Sequence, residues 1–105
     1  MEAAHFNTTG ELLSLSESNL VDCSWLNLGC DGGTYQTAWM YAESHPLMSE
    51  ADYPYVAKSS LTACKYNKEL GKVKVKTWHE VLIESPGQLK AALAKQPVSV
   101  SVDAS

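Results

Sequence analysis

Cys23, Cys30 and Cys64, with His5, His45 and His79, are the residues of this 105-residue chain with the widest chemical reach. Nucleophilic catalysis by cysteine needs a thiolate, an imidazole within hydrogen-bond reach, and a third group that orients the imidazole. His45 closes a helical stretch ahead of Pro46, and His79 follows Trp78 in a stretch without periodicity. Nothing local pairs either with Cys30, so all three histidines are expected to be exposed or locally bonded. No catalytic residue is assigned. A zinc site would need a Cys-x₂₋₄-Cys pair and a His pair. Cys23 and Cys30 are too far apart and no His pair follows, so no metal and no cofactor is expected. Three cysteines cannot all pair within one chain, so one is left over or pairs outside the chain unless all three stay reduced.

The run Gly29-Cys30-Asp31-Gly32-Gly33 offers a different chemistry. Paired glycines tolerate positive φ and let another backbone approach closely. Asn7-Thr8-Thr9 is an N-glycosylation sequon, which matters only if the chain enters the secretory pathway.

These residues must be held by about one small domain. At this length a chain buries roughly 60–70% of its unfolded surface, so one modest core is the ceiling. Hydrophobic residues are 45% and charged residues 19%, which is globular composition rather than disorder. The net charge is −4, and the eight basic residues are scattered. They form no phosphate-tracking patch, so no nucleic-acid partner is expected. No apolar run approaches the roughly 18 residues of a membrane helix, and the start does not resemble a signal peptide. Length and odd cysteine parity together lead to the expectation that the chain is part of something larger.

Local signals place four helices. Residues 1–9 form a short one stopped by Gly10 at C′. A second starts near Ser16, with Ser14 and Glu17 as a competing capping box. A turn-rich link over 27–33 leads to a helix over 34–44. Tyr35, Ala38, Trp39 and Ala42 share one face of it, and Pro46 stops it. Ser85-Pro86-Gly87-Gln88 opens the fourth, with Gln88 closing a capping box and Leu89, Ala92 and Leu93 as its apolar stripe. Residues 46–71 read as mostly irregular, with Tyr53, Tyr55 and Trp39 as packing residues. Strict alternation predicts strands over 72–77 and 98–102. The fold class expected is α+β.

Several segments, in order, resemble papain-like cysteine proteases of the cathepsin L type. They are Leu15-Ser16-Glu17-Ser18-Asn19-Leu20-Val21-Asp22-Cys23, then Gly29-Cys30-Asp31-Gly32-Gly33, then Ser49-Glu50-Ala51-Asp52-Tyr53-Pro54-Tyr55, Cys64-Lys65-Tyr66 and Gln96-Pro97-Val98-Ser99-Val100. The resemblance covers residues 1–105 and implies part of a papain-like peptidase domain. About 1–71 would be helical lobe and about 72–105 the start of the β lobe. In that family the nucleophilic Cys opens the helix whose tail residues 1–9 resemble, and the oxyanion-hole Gln lies just before it. The general-base His and its Asn follow roughly 130–150 residues after the Cys. None of the four has a counterpart in residues 1–105, so the chain alone is expected to be inactive.

The resemblance also implies that Cys23 pairs with Cys64 and that Cys30 is left without its partner. Gly32 and Gly33 map onto a cleft edge that binds extended peptide, although a plain tight turn remains an alternative. Thr34, Tyr35 and Ser101 map onto walls of the main specificity pocket, and core packing competes for Tyr35. Thr34 and Ser101 are more polar than is usual there, which puts a preference for bulky aliphatic side chains in doubt. The implied partners are an extended peptide or protein substrate, with a propeptide or inhibitor beside it. The implied compartments are lysosomal or extracellular. A non-catalytic module binding extended peptide or a complementary fragment is the competing function.

Overall fold

The computed structural model describes residues 1–57 and 64–105. Its first helix, α1, runs Glu2–Thr9 and ends where Gly10 turns left-handed at φ 76° and donates its N–H to the Phe6 carbonyl. α1 buries no residue. Its tie to the rest is Glu2, whose Oε1 accepts the Leu15 N–H at 2.8 Å.

The second helix, α2, runs Glu17–Cys23. Its cap is Ser16, whose Oγ accepts the Asn19 N–H at 3.0 Å and donates to the Tyr53 carbonyl at 2.6 Å. The cap therefore also stitches the helix to a loop far along the chain. Ser14 is no cap; its carbonyl accepts from Glu50 N–H.

The third helix, α3, spans Tyr35–Ser44 with Thr34 as its N-cap. Its buried residues are Tyr41 and Ala42. The expected stripe is thus buried only at its C-terminal end: Ala38 and Trp39 are half-buried and Tyr35 is exposed. Asn19 explains the shift toward Tyr41. It is fully buried, donates from Nδ2 to the Tyr41 hydroxyl at 3.3 Å, and accepts the Met48 N–H at 3.0 Å. A polar side chain that joins α2, α3 and the sheet leaves no backbone amide stranded there.

The sheet pairs β1, Leu47–Met48, antiparallel with β2, Gly71–Val73. The strand expected over 72–77 stops at Val73, because β1 is two residues long and offers no further ladder. Val75 N–H bonds to the Ala42 carbonyl instead. The alternation still governs burial, with Val73 buried, Val75 half-buried, and Lys72, Lys74 and Lys76 exposed. The strand expected over 98–102 is not formed. Alternation favours a strand only where a neighbour supplies hydrogen bonds, and among the described residues none pairs with it.

The fourth helix, α4, runs Pro86–Leu93 from a Ser85 cap and buries nothing. Gln88 does not close the capping box; its Oε1 accepts from Leu82 N–H at 3.1 Å. Leu93 is exposed, and Leu89 and Ala92 are half-buried. Of the irregular span over 46–71, residues 58–63 lie outside the described residues.

The core gathers Leu15, Cys23, Tyr41, Ala42, Leu47, Met48, Tyr53 and Val73. Tyr53 packs there, whereas Tyr55 is exposed and does not. Cys23 and Cys64 form a disulfide, with Cα atoms 5.0 Å apart and a sequence separation of 41. It fastens the Lys65–Tyr66 segment to the end of α2. Tyr53 reinforces the junction, donating to Asp22 Oδ2 at 2.6 Å and accepting from Lys65 N–H at 3.2 Å. The molecule is α+β.

Candidate functional site

A groove of about 470 Å³ opens between the N-terminal end of α3, the 27–33 link and the C-terminal segment. Gly32, Gly33, Thr34, Tyr35 and Ser101 all line it, together with Leu20, Val21, Asn27, Gly29, Gln36 and Ala38. Five residues singled out from sequence thus meet in one concavity, although Ser101 lies 66 residues beyond Tyr35.

The glycine edge is built by a 3-10 turn, Gly29–Asp31. Leu28 N–H bonds to the Gly32 carbonyl at 2.8 Å, and Gly32 itself sits at φ 123°, ψ −172°. That conformation is essentially restricted to glycine. Gly33 is required for another reason. A Cβ there would fall on the Asn27 side chain, against its Oδ1, Cγ and Cβ. The group that approaches the glycine pair inside this molecule is therefore a carboxamide.

Asn27 is the organiser of the site. Its Nδ2 donates to Ser24 Oγ at 2.7 Å, and its Oδ1 accepts the Thr34 N–H at 2.9 Å and the Thr37 hydroxyl. Thr34 Oγ1 meanwhile accepts Thr37 N–H as the helix cap and lies 2.8 Å from Thr37 Oγ1. One side chain thus anchors the end of α2, the glycine edge and the first turn of α3. From sequence alone Asn27 reads only as part of a turn. Its contact runs seven residues ahead, beyond the two-residue reach of an Asx turn, so no local rule signals it.

Tyr35 is neither core nor free. It is 44% exposed, and its hydroxyl donates to the Val100 carbonyl at 2.6 Å. This bond brings the 98–102 segment, and Ser101 with it, to the groove. Gln36 makes a second tie, from Nε2 to Glu80 Oε1 at 2.9 Å. Among the described residues the lining carries no charged side chain. Its polar groups are neutral donors and acceptors, which suit peptide amides better than ions.

Cys30 is exposed, in the 3-10 turn beside the groove. His45 stacks on Tyr41 with ring centroids 4.6 Å apart, and His5 pairs with Glu11 at 3.5 Å. Among the described residues no cluster of three His, Cys, Asp or Glu forms that could hold a metal, and no helix is long and apolar enough to cross a membrane.

Burial raises the pKa of the core tyrosines. Tyr41 is pushed up to about 12, chiefly by burial, with the Asn19 bond pulling it partly back. Tyr53 is also raised, by burial first and then by its bond to the Asp22 carboxylate.

The sequence profile of the papain family cysteine proteases matches residues 1–105. Cysteine proteinase 5 of Dictyostelium discoideum is 41% identical over 105 residues, covering 99% of this chain and 30% of its own length. Procathepsin L 3 of the Tenebrio molitor larval midgut superposes with a TM-score of 0.80 at 31% identity. That match covers 87% of this chain and 30% of the solved one. A Carica candamarcensis cysteine protease, solved in complex with E-64, superposes at 0.75 and 31% identity over 90% of this chain and 44% of its own. The chain therefore spans about a third of the length of the curated relatives it matches.

Proposed function

Because the chain belongs to the papain family of cysteine proteases, we propose that Gly32, Gly33, Thr34, Tyr35 and Ser101 form one wall of the peptide cleft of a cysteine endopeptidase. The observation that carries this reading is their meeting in one uncharged groove, with Asn27 and Tyr35 holding its two sides together. An extended peptide laid along this edge meets open backbone at Gly32, where nothing would crowd even a Cβ, while Gly33 is backed by Asn27; this is a strand-like mode of recognition. Thr34 and Ser101 set two hydroxyls among the apolar Leu20, Val21 and Ala38 of the lining, so the pocket suits bulky aliphatic side chains less well than an all-apolar one would.

In the complete domain, hydrolysis would proceed by thiolate attack on the peptide carbonyl, with a histidine as base and then acid and an oxyanion hole for the tetrahedral intermediate. The groups for those steps are not among residues 1–105, so these residues alone should hydrolyse nothing. Residues 1–71 belong with the helical lobe of such a domain and 72–105 with its β lobe. A lysosomal or secreted setting goes with this function, and a propeptide or an active-site inhibitor are further partners of the same cleft.

The second reading, a non-catalytic module, is favoured by the 82–102 stretch. Leu82, Ile83, Leu93, Val100 and Val102 are all exposed there, and α4 buries nothing. A surface of that kind could take a complementary fragment.

The test is the intact mass of the protein recovered from its own cells with an antibody to residues 58–76, combined with labelling by a thiol-directed epoxide inhibitor. A labelled species above about 20 kDa, the size of a whole two-lobed domain, supports the endopeptidase. An unlabelled species at 11.4 kDa sinks it and leaves the binding module.

A further inference from the structure

We infer that Asn7 carries an N-linked oligosaccharide, a modification site at the end of α1 that lies apart from the groove. The inference rests on the secretory setting that accompanies the proposed function, and two observations support it independently.

The first is the Cys23–Cys64 disulfide. Disulfides form and persist in oxidising compartments, and the lumen that oxidises thiols in secretory cells is also where oligosaccharide is transferred to sequons. The second is the placement of Asn7-Thr8-Thr9, a sequon without proline at its middle position. Asn7, Thr8 and Thr9 are all exposed. They occupy the last turn of α1, a helix that buries no residue and stops at Gly10. Among the described residues a glycan there displaces no packing. Asn7 does not line the groove that holds Gly32 to Tyr35, so the glycan would leave that groove open.

The folded geometry also says when transfer must occur. Thr9 Oγ1 donates to the His5 carbonyl at 2.8 Å and accepts the Glu11 N–H at 3.1 Å. The sequon hydroxyl is engaged on both sides once α1 has closed, so modification precedes completion of the helix. The donor is a lipid-linked diphosphate oligosaccharide. The bond that forms joins Asn7 Nδ2 to the anomeric carbon of the first sugar. The bond that breaks is that carbon's link to the diphosphate, which departs with its lipid. Nδ2 loses one proton to solvent, and nothing is oxidised or reduced.

The experiment uses the protein from its own cells. Glutamyl endopeptidase cuts after Glu2 and Glu11 and releases the peptide Ala3–Glu11, in which Asn7 is the single asparagine. The expected result is loss of this peptide at its unmodified mass. After peptide N-glycosidase treatment it should reappear with the mass shift of an Asn-to-Asp conversion. Thr9→Ala, introduced into the protein as its cells make it, should restore the unmodified peptide, whereas Thr9→Ser should keep the glycan. An unmodified peptide in protein taken from the medium or from a vesicle lumen overturns the glycan and leaves the compartment standing. An unmodified peptide in protein that fractionates with the cytosol overturns both.

Discussion

At the scale of single residues, the site depends on one close approach. The Gly33 Cα faces the Asn27 carboxamide with no room for a methyl group, and that carboxamide serves Ser24, Thr34 and Thr37 at once. Gly33→Ala should displace Asn27 and cost about 1–3 kcal/mol, the usual range for overpacking with loss of hydrogen bonds. In an Asn27→Ala background the same change should cost much less, because the obstructing atoms are gone. A double-mutant cycle in urea measures the difference; equal costs in both backgrounds would show that the carboxamide is not what demands glycine. The glycine pair itself was legible as special, but the two glycines are special for different reasons. Gly32 needs its positive φ, a local property. Gly33 answers to a side chain from another part of the loop, which no local pattern encodes.

Tyr41 gives the residue scale a pH signature. An exposed tyrosine ionises near its ordinary 10.0, whereas burial holds the Tyr41 proton until about 12. Between these values the unfolded state binds fewer protons than the folded one, so stability falls as pH rises. The contribution of the buried phenol is whole below pH 10 and gone above about 12. The melting temperature should therefore drop across that window, and Tyr41→Phe should shallow the drop. Tyr53 and Tyr66 are raised as well, so some slope should remain. The variant should also lose about 1 kcal/mol at neutral pH, because the buried Asn19 amide loses its acceptor. An unchanged alkaline slope in the variant would place the titrating group elsewhere.

At the scale of elements, what was legible was what is local. Ser16, Thr34 and Ser85 cap their helices within three residues, and Gly10 ends α1 by its own backbone freedom. Strands are different, because alternation states a preference and only a neighbour makes a ladder. Lys72–Thr77 pairs only as far as a two-residue partner allows, and 98–102 pairs with nothing among the described residues. The α4 stripe repeats the lesson, since an apolar face is buried only if another element arrives to cover it. The disulfide is the strongest constraint between elements. Closing a loop across a sequence separation of 41 removes denatured-state entropy equivalent to about 4 kcal/mol. With so small a core, reduction, or Cys23→Ala with Cys64→Ala, should leave the chain largely unfolded at 25 °C. Far-ultraviolet circular dichroism with and without reductant checks this, and retention of full ellipticity and the same urea midpoint would show that the core stands without the bridge.

For the whole molecule the governing quantity is surface. A self-sufficient 11.4 kDa protein exposes about 5,800 Å² by the usual scaling of area with mass. This one exposes 7687 Å², about a third more. Its radius of gyration is 14.7 Å, against about 13 Å for a compact chain of this length. Large apolar side chains lie open in both halves of the chain, Leu12, Trp25, Leu26 and Leu28 in the first and Leu82, Ile83 and Val102 in the second. Contiguous apolar surface beyond a few hundred Å² drives association. The 105 residues expressed alone should therefore bind a hydrophobic dye, melt broadly, and associate as concentration rises. Light scattering and calorimetry over a concentration series read this directly. A sharp, reversible, concentration-independent two-state transition of a monomer would mean that the core around Asn19 and the disulfide is enough to hold the chain without a covering partner, and that the exposed faces are tolerated rather than waiting to be covered.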